Sequence, residues 1–153
     1  MVRYLENEGD GMDSVSGLWE RLRGLVAERA LTFQERYRDV SFEGYITVLR
    51  EQSDGRMHLV KAVEGEEPVG FSLSTMRKDG AGWVEAFYVL PSQRGKGLGA
   101  ELLDRSVAWI RSQDAKAVRL TVTPGNEEVM DFYRSRGFEL WKYVMEIEGG
   151  KLE

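Results

Sequence analysis

Residues 83–99, WVEAFYVLPSQRGKGLG, join an apolar run to a loop in which three glycines alternate with other residues. The β-branched and aromatic residues before Pro91 predict a strand over 83–90. Leu98, Leu102, Leu103, Val107 and Ile110 then recur with helical spacing, which predicts a helix over 97–113. The glycine-rich loop therefore begins a helix, where free backbone N–H groups and the positive end of the helix dipole favour an anion such as phosphate.

The residues before this stretch predict helices followed by an antiparallel meander. A short extended segment at 2–6 precedes a helix over about 15–29, which Asp13 or Ser14 is expected to cap. A second helical region at 32–52 is expected in two pieces, with Ser41 capping the later one. The strands are predicted at 58–63, 69–76 and 83–90.

The residues after the loop predict a strand at 118–122, a helix at 127–136 and a last strand at 138–147. Asn126 suits the N-cap of that helix, and Gly137 suits its C′ position. The order strand, helix, strand implies a parallel pair joined by a right-handed crossover, within an otherwise antiparallel sheet. In 138–147 the apolar residues change faces near Leu140, which predicts either a bulge or two strands fused into one. The fold class is therefore α+β.

Composition excludes several classes of function. The 153 residues contain no Cys and one His, which removes thiolate catalysis and makes multi-histidine metal sites improbable. With 21 basic and 26 acidic residues, the net charge of −5 gives no general attraction to nucleic acid or to a membrane. The acidic N-terminus does not resemble a secretory signal, so we expect a cytoplasmic protein. We expect one domain over 1–148 and a tail over 149–153.

The local charge supports a small polyphosphate ligand. Residues 91–123 carry six basic and three acidic side chains, a net of +3, which leaves −8 elsewhere. A P-loop is excluded because Lys96 is followed by Gly97 rather than by Ser or Thr. The letters of a dinucleotide-binding loop are present, but Thr123 stands where an acidic residue would hold a ribose, and only one crossover exists. Glycine alternation in a solvent-exposed turn is the structural alternative.

The residues resemble the GNAT superfamily of acetyl-CoA-dependent N-acetyltransferases. Its signature is similar to Arg94, Gly97 and Gly99 after the strand EAFYVLP (85–91), and NEEVMDFYRSRGFEL (126–140) looks like its later motif. The resemblance implies a mixed, mostly antiparallel sheet that splays between its fourth and fifth strands, with helices on both faces. Acetyl-CoA would lie in the split as cosubstrate, and no metal is implied.

The resemblance also implies the site residues of a transferase that moves the acetyl group to a primary amine by direct attack. Glu85 is the candidate base, Tyr133 is the candidate acid, and the N–H of Val89 would stabilise the carbonyl oxygen. Phe33 and Tyr37, between the N-terminal helices, are expected to contact the acceptor. The residues expected to bind the cofactor are Phe87, Tyr88, Val89, Arg94, Gly95, Lys96, Gly97, Leu98, Gly99, Ala100 and Asn126.

Each of these roles has an alternative. Burial of an unpaired Glu85 would raise its pKa, as a base requires, whereas an ion pair with a neighbouring strand would make Glu85 structural. Tyr133 could instead be a core partner of Phe132. The chain could be a catalytically silent acetyl-CoA sensor or a nucleotide-binding module of another fold. The acceptor, a small-molecule amine or a peptide or protein amine, is left open, as is a homodimer that shares the last strand.

Overall fold

The computed structural model describes residues 1–147, which form one mixed sheet with helices on both of its faces. The strands lie in the order β1-β2-β3-β4-β5, and each pair is antiparallel except β4 with β5. This architecture confirms the predicted fold class. The strands are β1 (Val2–Glu8), β2 (Met57–Glu64), β3 (Glu67–Met76), β4 (Ala81–Val89) and β5 (Ala117–Arg119). The helices are α1 (Ser16–Arg29), α2 (Gln34–Arg38), α3 (Phe42–Ser53), α4 (Leu98–Ser112) and α5 (Met130–Ser135).

Alternating side chains of the central strands form a core on each face. Leu59, Phe71 and Leu73 pack with residues of α1 and α3, whereas Val60 and Val69 pack against α4 on the other face. Ser72 also faces α4, where the Ser106 hydroxyl donates to it at 2.6 Å. The two-residue period of a strand thus explains why both faces of β3 carry apolar or small side chains.

The sheet opens between β4 and β5. Only Ala81, Gly82 and Trp83 pair with β5, through Ala117, Val118 and Arg119, so the rest of β4 has no ladder on that side. Helix α4 packs tightly at the paired end, since a Cβ added to Gly82 would lie 2.1 Å from Cγ2 of Ile110. The predicted split between the fourth and fifth strands is confirmed, although β5 ends three residues earlier than expected.

Two helix starts differ from prediction. A single 3₁₀ turn, Met12–Val15, precedes α1, and neither Asp13 nor Ser14 caps the α-helix itself. Asn126 precedes a second 3₁₀ turn, Glu127–Val129, and its side chain makes no capping bond because its Oδ1 accepts from Arg29. Ser41 does cap α3, since its Oγ accepts from the N–H of Gly44 at 3.0 Å.

The predicted last strand is absent from the described residues. Residues 138–147 follow α5 without secondary structure, and Tyr143, Val144 and Met145 are more than four-fifths exposed. The predicted strand is wrong because an alternating pattern also needs a neighbouring strand with which to form a ladder, and residues 138–147 pair with none. This segment contacts the fold through Trp141, whose ring lies beneath Arg119, and through an ion pair between Glu146 and Arg36. The predicted tail at 149–153 lies outside the described residues.

Candidate active site

A groove of about 930 Å³ runs through the gap between β4 and β5. One wall comes from α1, α2 and the start of α3, and the other comes from the loop before α4 and from α5. The groove therefore brings together the strand, loop and helix that the sequence motifs mark. The predicted site residues that line it are Tyr37, Glu85, Phe87, Tyr88, Val89, Arg94, Gly95, Gly97, Leu98, Gly99, Ala100, Asn126 and Tyr133.

Main-chain groups of β4 face this gap. The N–H of Leu90 donates to the carbonyl of Val69 at 2.9 Å, so this pair of residues is bonded across the two strands. Bonded and non-bonded pairs alternate along an antiparallel ladder. The next residue pair, Gly70 with Val89, is therefore non-bonded, and so is the pair Ser72 with Phe87. The N–H groups of Phe87 and Val89 point away from β3, toward the side on which β5 has diverged.

The loop before α4 has the geometry of an anion cradle. Gly95 and Gly97 have φ values of 79° and 85°, in the left-handed region that favours glycine. A Cβ added to either one would have no heavy atom within 4 Å, so open space lies beside the backbone. No side chain caps the first turn of α4. The free donors and the open space fit a diphosphate of the size that the sequence motif predicts.

Arg94 anchors this loop to the strand. Its Nε donates to the carbonyl of Val89 at 3.0 Å, and its guanidinium lies 5.6 Å from the ring centroid of Tyr88. Lys96 is not among the residues that line the groove, and its Nζ donates to Oε1 of Gln93 at 3.4 Å. The arginine thus holds the shape of the loop through its contacts with β4.

Glu85 occupies a bulge of β4 and lines the groove. Leu73 pairs with Ala86 and Ser74 pairs with Val84, so Glu85 is the extra residue between them. Its side chain is 8% exposed, and its Oε2 accepts a hydrogen bond from the Thr75 hydroxyl at 2.7 Å. Arg77 donates to both carboxylate oxygens, at 2.8 Å to Oε1 and 3.2 Å to Oε2. The carboxylate is therefore buried but not unpaired, and the ion-pair alternative considered from the sequence is the observed arrangement.

Tyr133 contributes its phenol to the groove from α5. Its ring packs edge-on against Phe87 and Phe138, at centroid distances of 6.1 Å in both cases. Burial in this aromatic cluster raises the pKa of Tyr133 to about 12. The phenol therefore stays protonated at neutral pH and is able to donate a proton.

Contacts between α1, α2 and the segment after β5 bridge the groove at one end. Arg29 Nη1 donates to Oδ1 of Asn126 at 2.9 Å and also pairs with Glu128. The N–H of Leu31 donates to the carbonyl of Pro124 at 3.1 Å. The Tyr37 hydroxyl lies 3.0 Å from Oγ1 of Thr123. These bonds place Tyr37 and Asn126 on the groove from opposite sides.

Phe33 belongs to the same junction but not to the groove lining. Its backbone has a φ of 55°, and the Arg36 guanidinium covers its ring at 4.3 Å. Arg36 itself lines the groove. The junction between the helices therefore presents Tyr37 and Arg36 to the groove, and the expected contact of Phe33 with an acceptor stays a prediction.

Four residues of the site were not predicted from the sequence. Tyr45 and Arg29 line the groove, and Thr75 and Arg77 bind the carboxylate of Glu85. Thr75 and Arg77 are two residues apart at the end of β3, a spacing that puts both on one face of a strand. That spacing indicates that the two side chains lie near each other. Predicting that both bind Glu85 also requires the register of β3 against β4. Tyr45, whose hydroxyl donates to the carbonyl of Glu85 at 3.0 Å, reaches it from α3.

The buried phenols predict a loss of stability at alkaline pH. The pKa of Tyr133 is raised to about 12 and that of Tyr45 is raised further, both by burial. Because the unfolded chain releases these protons near pH 10, the stabilisation is complete below pH 10 and is lost as pH rises through the folded-state values. Each group contributes about 1.4 kcal/mol per pH unit over that window.

Urea unfolding between pH 8 and pH 11.5 measures this effect. In the unmodified chain the free energy of unfolding should fall as pH rises above 10. In Tyr133→Phe the slope of that fall should be smaller by the contribution of about one proton. Tyr143→Phe is the matched control, because Tyr143 is 83% exposed, and it should leave the slope unchanged. Equal slopes in Tyr133→Phe and the unmodified chain would contradict the burial of this phenol.

Residues 1–147 contain neither a candidate metal cluster nor a helix that could span a membrane. No group of three or more His, Asp or Glu side chains in this part of the chain is arranged to hold a metal ion. None of its helices is both long enough and apolar enough to cross a bilayer.

Known proteins resemble this chain in sequence and in fold. An uncharacterized N-acetyltransferase of Methanocaldococcus jannaschii is 28% identical over 98 residues, which are 60% of this chain and 42% of that protein. A GCN5-related N-acetyltransferase from Ralstonia eutropha JMP134 superimposes with a TM-score of 0.74 at 18% identity, covering 98% of this chain and 100% of the other. An aminoglycoside N-acetyltransferase solved in complex with CoA superimposes with a TM-score of 0.63 at 17% identity, covering 97% and 98% of the two chains.

The chain matches only part of each of its curated relatives. It spans between 25% and 63% of the length of those that it matches. The model of the acetyltransferase (GNAT) family matches residues 19–138, which include β4, the glycine-rich loop, α4 and α5. The match thus covers every element that lines the groove, and the chain belongs to the acetyltransferase (GNAT) family.

Proposed function

We propose that this chain transfers the acetyl group of acetyl-CoA to a primary amine by direct attack. The observation that carries the proposal is the divergence of β5 from β4 after Trp83, which leaves the N–H groups of Phe87 and Val89 facing an open groove. That groove connects a glycine cradle at one end with a buried carboxylate and a protonated phenol. Amine acetylation needs these three kinds of group together.

Different residues bind the diphosphate and the pantetheine arm of the cofactor. The amides of residues 94–99 hold the diphosphate, and the main chain of Phe87–Val89 pairs with the pantetheine arm as an added strand does. Asn126 binds the same arm from the opposite side, which requires its bond to Arg29 to be exchanged. Acetyl-CoA supplies an acetyl group activated as a thioester.

Proton transfers involve Glu85 and Tyr133. The Glu85 carboxylate accepts the proton that the attacking amine loses. The Val89 N–H donates to the carbonyl oxygen as negative charge develops on it. Tyr133, whose phenol is protonated at neutral pH, donates a proton to the departing sulfur. Arg77 and Thr75 hold the ionised form of Glu85 in one orientation.

The same pairing favours a second candidate, a catalytically silent acetyl-CoA-binding module. Three donors already occupy the carboxylate of Glu85, and Arg77 engages both of its oxygens. A carboxylate held in this way can serve the fold alone. Such a module would bind CoA tightly and would not turn it over.

A thiol-release assay separates the two candidates. The chain is incubated with acetyl-CoA and a panel of primary amines, and the free thiol of CoA is measured. Calorimetry with CoA, NAD and ATP runs in parallel. Amine-dependent thiol release supports the transferase, whereas CoA binding without release on any amine supports the silent module. Preference for NAD or ATP over CoA would contradict both.

The exposed segment at 138–147 supports a homodimer as part of this proposal. β5 is the edge strand of the sheet, and the segment carries exposed Tyr143, Met145 and Ile147 at alternating positions. A segment of this kind can form the backbone hydrogen bonds of a β-ladder when it pairs with a second copy of the chain. Light scattering should therefore find a dimer for the intact chain and a monomer for a chain cut after Phe138. A monomeric intact chain, or an unchanged dimer after the cut, would contradict the shared strand.

A further inference from the structure

The acceptor end of the groove has an apolar wall. We call this surface the helical wall, and it faces Glu85 from α1, α2, α3 and the residues between them. Val40 is 38% exposed, whereas Trp19 is almost fully buried. The wall therefore has apolar side chains both at the protein surface and deep in the groove. Its members are Trp19, Leu22, Leu25, Val26, Tyr37, Val40 and Tyr45.

The carboxylates of the groove are already paired. Among the described residues that line it, Glu85 and Glu128 are the acidic ones. Glu85 is bound by Arg77 and Thr75, and Glu128 pairs with Arg29. Each carboxylate of this lining already has an arginine partner, so a second or third ammonium group of an acceptor would have to compete with that arginine.

The charged side chains near the helical wall are arginines, and each is paired with a glutamate: Arg23 with Glu20, Arg29 with Glu128 and Arg36 with Glu146. Arg23, Arg29 and Arg36 line this end of the groove. Arg23 is held by Glu20 and by the carbonyls of Tyr37 and Arg38, which fixes a guanidinium beside the wall. A ligand with several positive charges would meet these guanidinium groups and would lose water without gaining a partner.

We propose that the acceptor is an amine with an apolar or aromatic body and a single positive charge, and not a polycation such as a polyamine or an aminoglycoside. This inference rests on the proposed function, because it assigns the helical wall to the acceptor. The apolar body packs on the wall, and its one ammonium group lies toward Glu85. Burial of the body against the wall provides the binding free energy that charge pairing provides for polycations.

Three probes with primary amines test the inference. Phenethylamine carries an aromatic body, ethanolamine carries a polar one, and spermidine carries several charges. We expect kcat/KM for phenethylamine to exceed that for ethanolamine by about 10-fold or more, from burial of the ring. We expect spermidine to be no better than ethanolamine. A spermidine value above that of phenethylamine would overturn the inference.

A charge placed on the wall gives a second test. Val40→Glu adds a carboxylate to the helical wall at a partly exposed position, where the fold should tolerate it. It should lower kcat/KM for phenethylamine by about 10-fold and raise it for spermidine. Val48→Glu is the matched control, because Val48 is 50% exposed on α3 and is not part of the wall, and it should change neither value. Equal effects of the two variants would count against the wall.

Calorimetry on the CoA-saturated chain separates this inference from the proposed function. The binding of phenethylamine and spermidine is measured without any acetyl transfer. Tighter binding of phenethylamine supports the helical wall even if no thiol is ever released, an outcome that would remove only the transferase. Tighter binding of spermidine, or binding of neither amine, overturns the inference even if transfer occurs.

Discussion

A Gly97→Val variant should bind CoA about 100-fold more weakly than the unmodified chain, or not at all, because it loses charge-assisted bonds to the diphosphate. Gly97 has a φ of 85°, which a β-branched residue adopts only with strain. Its Cβ would project into open space beside the first turn of α4, where the diphosphate is proposed to bind. Calorimetry with CoA measures the loss directly.

The control for this variant is Gly65→Val. Gly65 also has a positive φ, of 65°, and a Cβ there would meet no atom within 4 Å. It lies in the turn between β2 and β3, away from the groove. Both variants should lose about 1–2 kcal/mol of stability from backbone strain, but Gly65→Val should keep its affinity for CoA. Normal affinity in Gly97→Val would contradict the cradle.

A Glu85→Gln variant should transfer acetyl groups about 10²- to 10⁴-fold more slowly, the usual contribution of a general acid or base. Glutamine preserves the size of the side chain and can still accept from Thr75 and Arg77, but it cannot take a proton from an amine. CoA affinity should be nearly unchanged, because Glu85 lies on the acceptor side. The rate is measured by thiol release at saturating acetyl-CoA.

Thr75→Val separates a chemical role of Glu85 from a structural one. This change removes one of the three donors to the carboxylate and keeps the carboxylate itself. It should lower the rate by less than about 10-fold, because the loss of one hydrogen bond is worth about 1 kcal/mol. Full activity in Glu85→Gln would remove Glu85 from the mechanism. Equal losses in the two variants would assign it to positioning.

The order of elements could be predicted because its signals are local. Helical spacing located α1, α3 and α4, and the Ser41 cap was predicted from one residue and its neighbours. The glycine-rich loop was predictable for the same reason, since positive φ angles restrict a position to glycine regardless of the rest of the fold. Gly137 after α5, with a φ of 98°, follows the same rule.

The environment of Glu85 could not be predicted in the same way. Its position on a bulge depends on the register of β3 against β4, and that register decides whether Arg77 reaches it. The prediction of a strand at 138–147 was wrong for a related reason. Its alternation is typical of a strand, but pairing depends on whether another strand lies beside it, and β5 ends at Arg119. Lys96 and Phe33 do not line the groove, because the positions of a loop and of a helix junction do not determine where a side chain points.

Local backbone preference and apolar period, both readable within about ten residues, were enough to predict strands β1 to β5, the main helices and the loop that begins α4. The tertiary structure alone decided that the buried carboxylate of Glu85 is shared with Arg77 and that the arginines and apolar side chains of α1 and α2 face it across the groove. The physical reason is that a side-chain contact between distant segments depends on strand register and helix packing, and neither is encoded in a short stretch of sequence.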